Sequence, residues 1–142
     1  MGMYDVFETD TDLETNGVWI DYGEFRVRIA SAGSGNKNYM KYAEKKLKPV
    51  RKAMEAGALN EGRSQAIMAD IFTKTVILDW ETLVDKEWVQ GIENREGEIV
   101  AFNEDNVLTA LKDLPRLFLD LQEQAMSMTI FRKAELETDG KN

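Results

Sequence analysis

The sequence predicts a mostly helical α+β fold: an N-terminal β-hairpin packed against about four helices, the last two joined at Pro115. Three observations predict it. Apolar and polar residues alternate around Gly23, as they do in strands with one wet face. Apolar residues recur at helical spacing through 36–56, 61–78 and 103–131. Pro115 divides the last of these stretches, because it disfavours helical geometry at Leu114 and suits the first turn of a new helix.

Residues 1–16 are polar, acidic and without period, and are expected to form a flexible arm ahead of a single domain over 17–137. Val18–Tyr22 and Glu24–Ala30 then flank Gly23 as two strands. Phe25, Val27 and Ile29 point to one face with Val18, Ile20 and Tyr22, leaving Trp19, Arg26 and Arg28 on the other. Such a hairpin is marginal alone, so helices must cover its apolar side. Ser31–Gly35 reads as a linker; its glycines and the following lysines match neither the Walker nor the dinucleotide spacing. Over 36–56 the apolar face is Tyr39, Ala43, Leu47, Val50 and Met54, with Pro49 predicting a break after Leu47 and Gly57 a C-terminal stop.

Asn60 is the expected cap of a helix over about 61–78, whose last residues, Thr75–Trp80, are β-branched enough to suit a strand instead. Residues 87–102 suggest a second short hairpin or an ordered loop. Asn103 caps the next helix, with Glu104 and Asp105 complementing its dipole. After Pro115, Leu114, Phe118, Leu121, Ala125 and Met128 form a stripe at spacings of four, three, four and three. Leu117 and Phe131 widen it, while Leu119, Met126 and Ile130 lie largely off it. Residues 138–142 are a polar tail.

A helix apolar beyond one stripe needs more than one partner surface. Both surfaces lie within the protein's own core, or one is kept for another protein. For the second case the candidates are Leu117, Phe118, Leu121 and Met128, with Met126 and Ile130 as a further surface.

Composition excludes several chemistries. The 142 residues include no cysteine and no histidine, which removes disulfides, thiol chemistry and the commonest general base and metal ligand. Ser31, Ser34 and Ser64 lie in no nucleophile elbow, and nothing selects a catalytic pair among the 26 carboxylates. No calcium-loop pattern is present. Trp19, Trp80 and Trp88 are read as structural, given the area an indole buries. A non-enzymatic protein without cofactor or metal is expected. With no signal peptide and no long apolar run, a soluble intracellular protein is expected too, without membrane contact.

The net charge of −8 opposes nucleic acid as a partner. The charge is also segregated. Residues 1–25 carry seven acids and no base, whereas residues 37–52 carry seven bases and one acid. Lys41, Lys45, Lys48 and Lys52 share one helical face as candidates for electrostatic contact. Arm and helix can pair within one copy, pair between copies, or remain solvated.

The succession GVWIDYGEFRVRIASAGSGN, YMKYAEKKLKP, VILDWE, then IVAFNEDN leading into LTALKDLPRLFLDLQEQA and FRKAELE resembles the tail assembly chaperones of long-tailed bacteriophages. The similarity lies in the order of segments over about residues 5–142 rather than in a single motif. It implies a protein made in the host cytoplasm that coats the tape-measure protein, keeps it soluble, helps recruit tail-tube subunits and is absent from the mature virion. It also implies a longer isoform made by a −1 ribosomal slip, through which tail-tube subunits are engaged. Gly140-Lys141-Asn142 is encodable as GGA-AAA-AAC, which contains the slippery heptamer A-AAA-AAC. The alternative in another class is a small structural tail or head-completion protein.

Overall fold

The computed structural model describes residues 2–127 and 129–132. The protein is α+β and mostly helical, with a β-hairpin near its N-terminus ahead of the main helices. Two short helices, α1 (Met3–Phe7) and α2 (Thr11–Asn16), occupy the stretch expected as an aperiodic arm. Asp10 explains the second, because its Oδ1 accepts from the backbone N–H of Asp12 and Leu13. Backbone bonds from Asp10 N to Phe131 O and from Ser31 N to Glu14 O, both 2.8 Å, tie this stretch to the rest of the domain.

Strands β1 (Val18–Asp21) and β2 (Phe25–Ile29) form the expected hairpin. Two further strands extend it: β3 (Ile77–Val84) and β4 (Glu87–Gln90), giving an antiparallel sheet of order β1-β2-β3-β4. The turn between β3 and β4 places Asp85 and Lys86 at φ 50° and 69°. That left-handed pair matches the twist of a tight hairpin without the Asn-Gly or Asp-Gly signature. A small hairpin follows, β5 (Ile92–Glu93) with β6 (Ile99–Val100). Gly91 joins it to the sheet at φ 115°, where an added Cβ would lie 2.5 Å from Ile99 Cγ2. Only glycine meets both conditions.

The central helices follow their caps and prolines. Asn36 caps α3 (Lys37–Leu47), and Pro49 sits in a 3₁₀ turn over Lys48–Val50 before α4 (Arg51–Glu55), so the expected break falls after Leu47. Asn60 caps α5 (Glu61–Thr75) through Arg63 N at 2.7 Å. This helix ends three residues earlier than its periodicity suggested, and Ile77 begins a strand. The β-branched run Thr75-Val76-Ile77 suits that change. Asn103 caps α6 (Glu104–Asp113), and α7 (Pro115–Met126) begins at the proline.

The core lies between one sheet face and α5, α6 and α7: Val27, Ile29, Ile77 and Trp80 meet Phe72, Val107, Leu111, Phe118, Leu121 and Ala125. Between Arg28 and Ile29 the β2–β3 register shifts, from Arg28 opposite Asp79 to Ile29 opposite Ile77. The bulge at Leu78 lets Ile77 and Trp80, three apart, both reach the core. On the opposite face Arg26 lies 4.3 Å from the ring centres of both Trp19 and Trp88 and pairs with Glu81. Helix α3 docks on α5 through Tyr42, whose hydroxyl donates to Asp70 Oδ2 at 2.7 Å, with Lys46 and Lys74 beside the same carboxylate.

Tyr22 ties the hairpin to α7. Its ring stacks on Phe25 at 4.9 Å and its hydroxyl donates to Asp120 Oδ2. Burial, then that hydrogen bond, then the Asp120 charge raise the phenol above the ordinary tyrosine range. The raised folded value means that this contribution to stability is present below pH ~10 and is lost as pH rises beyond it. In an ultraviolet titration of the native protein, one tyrosine should ionise last, and Asp120→Asn should bring its transition down. An unchanged transition in Asp120→Asn would remove the hydrogen bond as a cause.

Candidate functional site

A cleft of about 260 Å³ lies between the sheet and the α6–α7 junction. Phe25 and Val27 come from β2, Trp80 from β3 and Ile92 from β5, facing Ala110, Leu114 and Leu117. It shares Trp80, Ile92, Ala110 and Leu114 with an adjoining cleft of about 610 Å³ that reaches Asn106 and Asp113 of α6. The floor is therefore apolar and the two depressions are continuous through shared walls.

Pro115 creates the key wall. Leu114 leaves the helical region at ψ 72° and serves as the last cap of α6 and the first of α7. The residue is 51% exposed, although it opens the periodic stripe of the last helix. Leu117, one turn later, is half-buried and packs against the core from the cleft side. Four carboxylates, Glu24, Glu93, Glu96 and Asp113, stand around the two depressions with one guanidinium, Arg95. Arg95 pairs with Asp113 at 3.7 Å, so the surplus is negative. Trp80 Nε1 is buried without a hydrogen-bond acceptor among the described residues.

The residues expected to meet a partner separate into groups. Phe118 and Leu121 are 4% and 1% exposed and belong to the core, which corrects their assignment to a partner surface. A contiguous helical stripe marks a buried face without telling the protein's own core from a foreign one. Ile130 is half-buried against the same core. Leu117 lines the cleft. Met126 is 64% exposed and borders a different depression of about 430 Å³, shared with Phe7 and the Ser31–Gly35 loop. Met128 and the tail at 138–142 lie outside the described residues. Lys41, Lys45, Lys48 and Lys52 are all exposed, and none lies within ion-pair distance of a carboxylate among the described residues.

Sequence reasoning did not find Leu83, Ile92 or Leu114 as site residues. Leu114 had an available signal, since a residue before proline is pushed out of the helix. Ile92 and Leu83 had none, because the β3–β4 turn and Gly91 bring the first to the cleft and the pairing of β3 with β2 places the second beside Glu24. Among the described residues no group of three or more Asp, Glu, His or Cys side chains is placed to hold a metal ion. No helix among them is long and apolar enough to cross a membrane.

Sheet, helix junction and cleft together define a small α+β domain with an apolar concavity under an acidic rim. The family model described as YdaY prophage protein matches residues 34–142. The chain belongs to that family and is phage-derived. No curated protein and no solved structure matches it.

Proposed function

We propose that this phage protein is a tail assembly chaperone that holds an apolar, helical segment of the tape-measure protein in the cleft beside Leu114 and Leu117. The observation that carries the proposal is the cleft itself: an apolar floor with a half-exposed leucine at the proline junction and a negative rim. An amphipathic helix places apolar residues every three or four positions and docks in such a groove. Lysine or arginine flanking those anchors would meet Glu24, Glu93 and Glu96. The phage family and the order of segments along the chain support the same role. It is non-enzymatic and needs no cofactor, nucleic acid or membrane; it acts in the host cytoplasm, and a longer −1 frameshift product recruits the tail-tube subunit.

Leu114→Asp separates binding from folding. The residue is half-exposed and stands at the first cap of α7, where aspartate is a favoured cap. Its melting temperature should stay within a few degrees of the parent, while the charge in the apolar cleft lowers tape-measure retention ~tenfold or more. Co-expression with the tape-measure protein of the same prophage, followed by soluble yield and pull-down, measures both. Equal tape-measure solubility with and without the chaperone would overturn the role, and unchanged retention by Leu114→Asp would remove the cleft. Finding the chain in purified virions would favour a structural tail or head-completion protein. Mass spectrometry of products from the native gene with its downstream DNA tests the longer form.

A further inference from the structure

We propose that copies of this protein associate head to tail, the acidic N-terminal helices of one copy seated on the lysine-rich face of α3 and α4 of the next. The inference does not depend on the chaperone role. It begins with an exposed apolar patch where the sequence showed only an acidic arm. Met3 and Tyr4 are each 71% exposed and Phe7 is 65% exposed on α1. Met3 and Phe7 stand one turn apart on the same side of the helix. Asp5, Glu8 and Asp12 are exposed around them. Large apolar side chains gathered under charged neighbours mark a surface that another molecule covers.

The complementary surface lies on the same chain. Met40 and Met54 are exposed on α3 and α4 among Lys37, Lys41, Lys45, Lys48 and Lys52. The neighbouring acid Glu44 is taken by Arg51 at 2.8 Å, so it does not neutralise these lysines. The patches therefore match in two respects, apolar to apolar and negative to positive. The stretch following α1 is tied to Arg132 and Phe131 by the Thr9–Arg132 bridge and the Asp10–Phe131 bond, and α2 to the Ser31–Gly35 loop by the Ser31–Glu14 bond. Among the described residues no ion pair joins an acid of residues 2–25 to a lysine of α3 or α4. In this head-to-tail arrangement each copy gives its arm to one neighbour and its lysine face to another, a heterologous contact that continues from copy to copy, unlike the reciprocal pairing of a two-fold dimer.

Sedimentation velocity on the full chain tests this, over protein concentrations up to about 1 mM, the upper end of weak association. At ~0.01 M salt the mean mass should rise with concentration and pass that of a dimer. At ~1 M salt, where the Debye length is only ~3 Å, association should weaken at least ~tenfold. Met3→Ser/Phe7→Ser and Lys41→Glu/Lys48→Glu should each remain monomeric with unchanged circular dichroism. Mixed, they keep one intact patch of each kind and should form a dimer that grows no further. A second pair guards against a misfolded arm: Asp5→Lys/Glu8→Lys should fail alone and associate with Lys41→Glu/Lys48→Glu. A parent that is monomeric throughout, or that stops at the dimer, would overturn the proposal. So would undiminished association of either single-patch variant, or the absence of a mixed dimer.

Discussion

Phe72→Ala should lower the unfolding free energy by about 3–5 kcal/mol. The ring is 1% exposed on α5 and meets Phe118 of α7 edge-on at 5.5 Å and Tyr39 of α3 at 6.2 Å. It therefore joins three helices through its ring contacts. Truncation removes the transfer free energy of the ring, leaves a cavity walled by two more rings, and forfeits both edge-to-face contacts. Domains of this kind have roughly 5–15 kcal/mol in total, so about a fifth or more of the stability is at stake. Phe72→Leu keeps most of the apolar area and should cost less than half as much. Urea unfolding of the two variants measures the difference. A loss under about 1 kcal/mol for Phe72→Ala would mean that the three helices do not converge on this ring.

Asn36→Ala should cost about 3 kcal/mol, although it deletes only one small amide. The side chain is buried and all its bonds are structural. Nδ2 donates to the carbonyl oxygens of Ser31 at 2.9 Å and Thr75 at 3.0 Å, and Oδ1 accepts from Tyr39 N at 3.3 Å. One residue thus fixes the loop after β2, the start of α3 and the end of α5. Removing it takes away a helix cap and leaves two buried carbonyls short of a donor. Asn36→Asp is the sharper probe. It keeps the cap acceptor but turns a carboxylate towards two carbonyls, so at pH 7 it should be at least as damaging. Burial raises the folded-state value of such a carboxyl above the unfolded value of ~3.9. The neutral acid, which can donate, is then favoured by folding, so the deficit should shrink as pH falls from 7 towards 4. Chemical denaturation at both pH values checks the sign, and a pH-independent deficit would contradict the assigned donors.

Much of the scaffold was legible because local chemistry wrote it. Gly23 with its alternating neighbours, the break at Pro49, the caps at Asn60 and Asn103 and the restart at Pro115 all act within a few residues. The second half of the sheet was harder. Thr75-Val76-Ile77 continues the helical spacing of α5 while preferring strand, and pairing with β2 decides the matter. Asp85-Lys86 makes a left-handed turn without glycine, so nothing announced it. The first two helices have no periodic stripe: α1 is closed by the Gly2–Asp5 bond, and α2 by the Asp10 cap and by bonds of its stretch to Phe131 and Ser31. The cleft was the least legible part. Phe118 and Leu117 are adjacent in sequence, yet one is core and the other lines the cleft, and only the position of Ile92 and Trp80 across from them makes the distinction.

The sheet ends in two outer strands of only four residues each, β1 and β4. Strand-by-strand growth needs a long, flat row of unpaired backbone amides, and a row this short offers few of them. Irreversible cross-β polymerisation therefore finds a poor template in the native fold. A contact with another chain would then fall to side chains more than to backbone pairing. For the chaperone role proposed above, such a surface would keep handover of a client reversible.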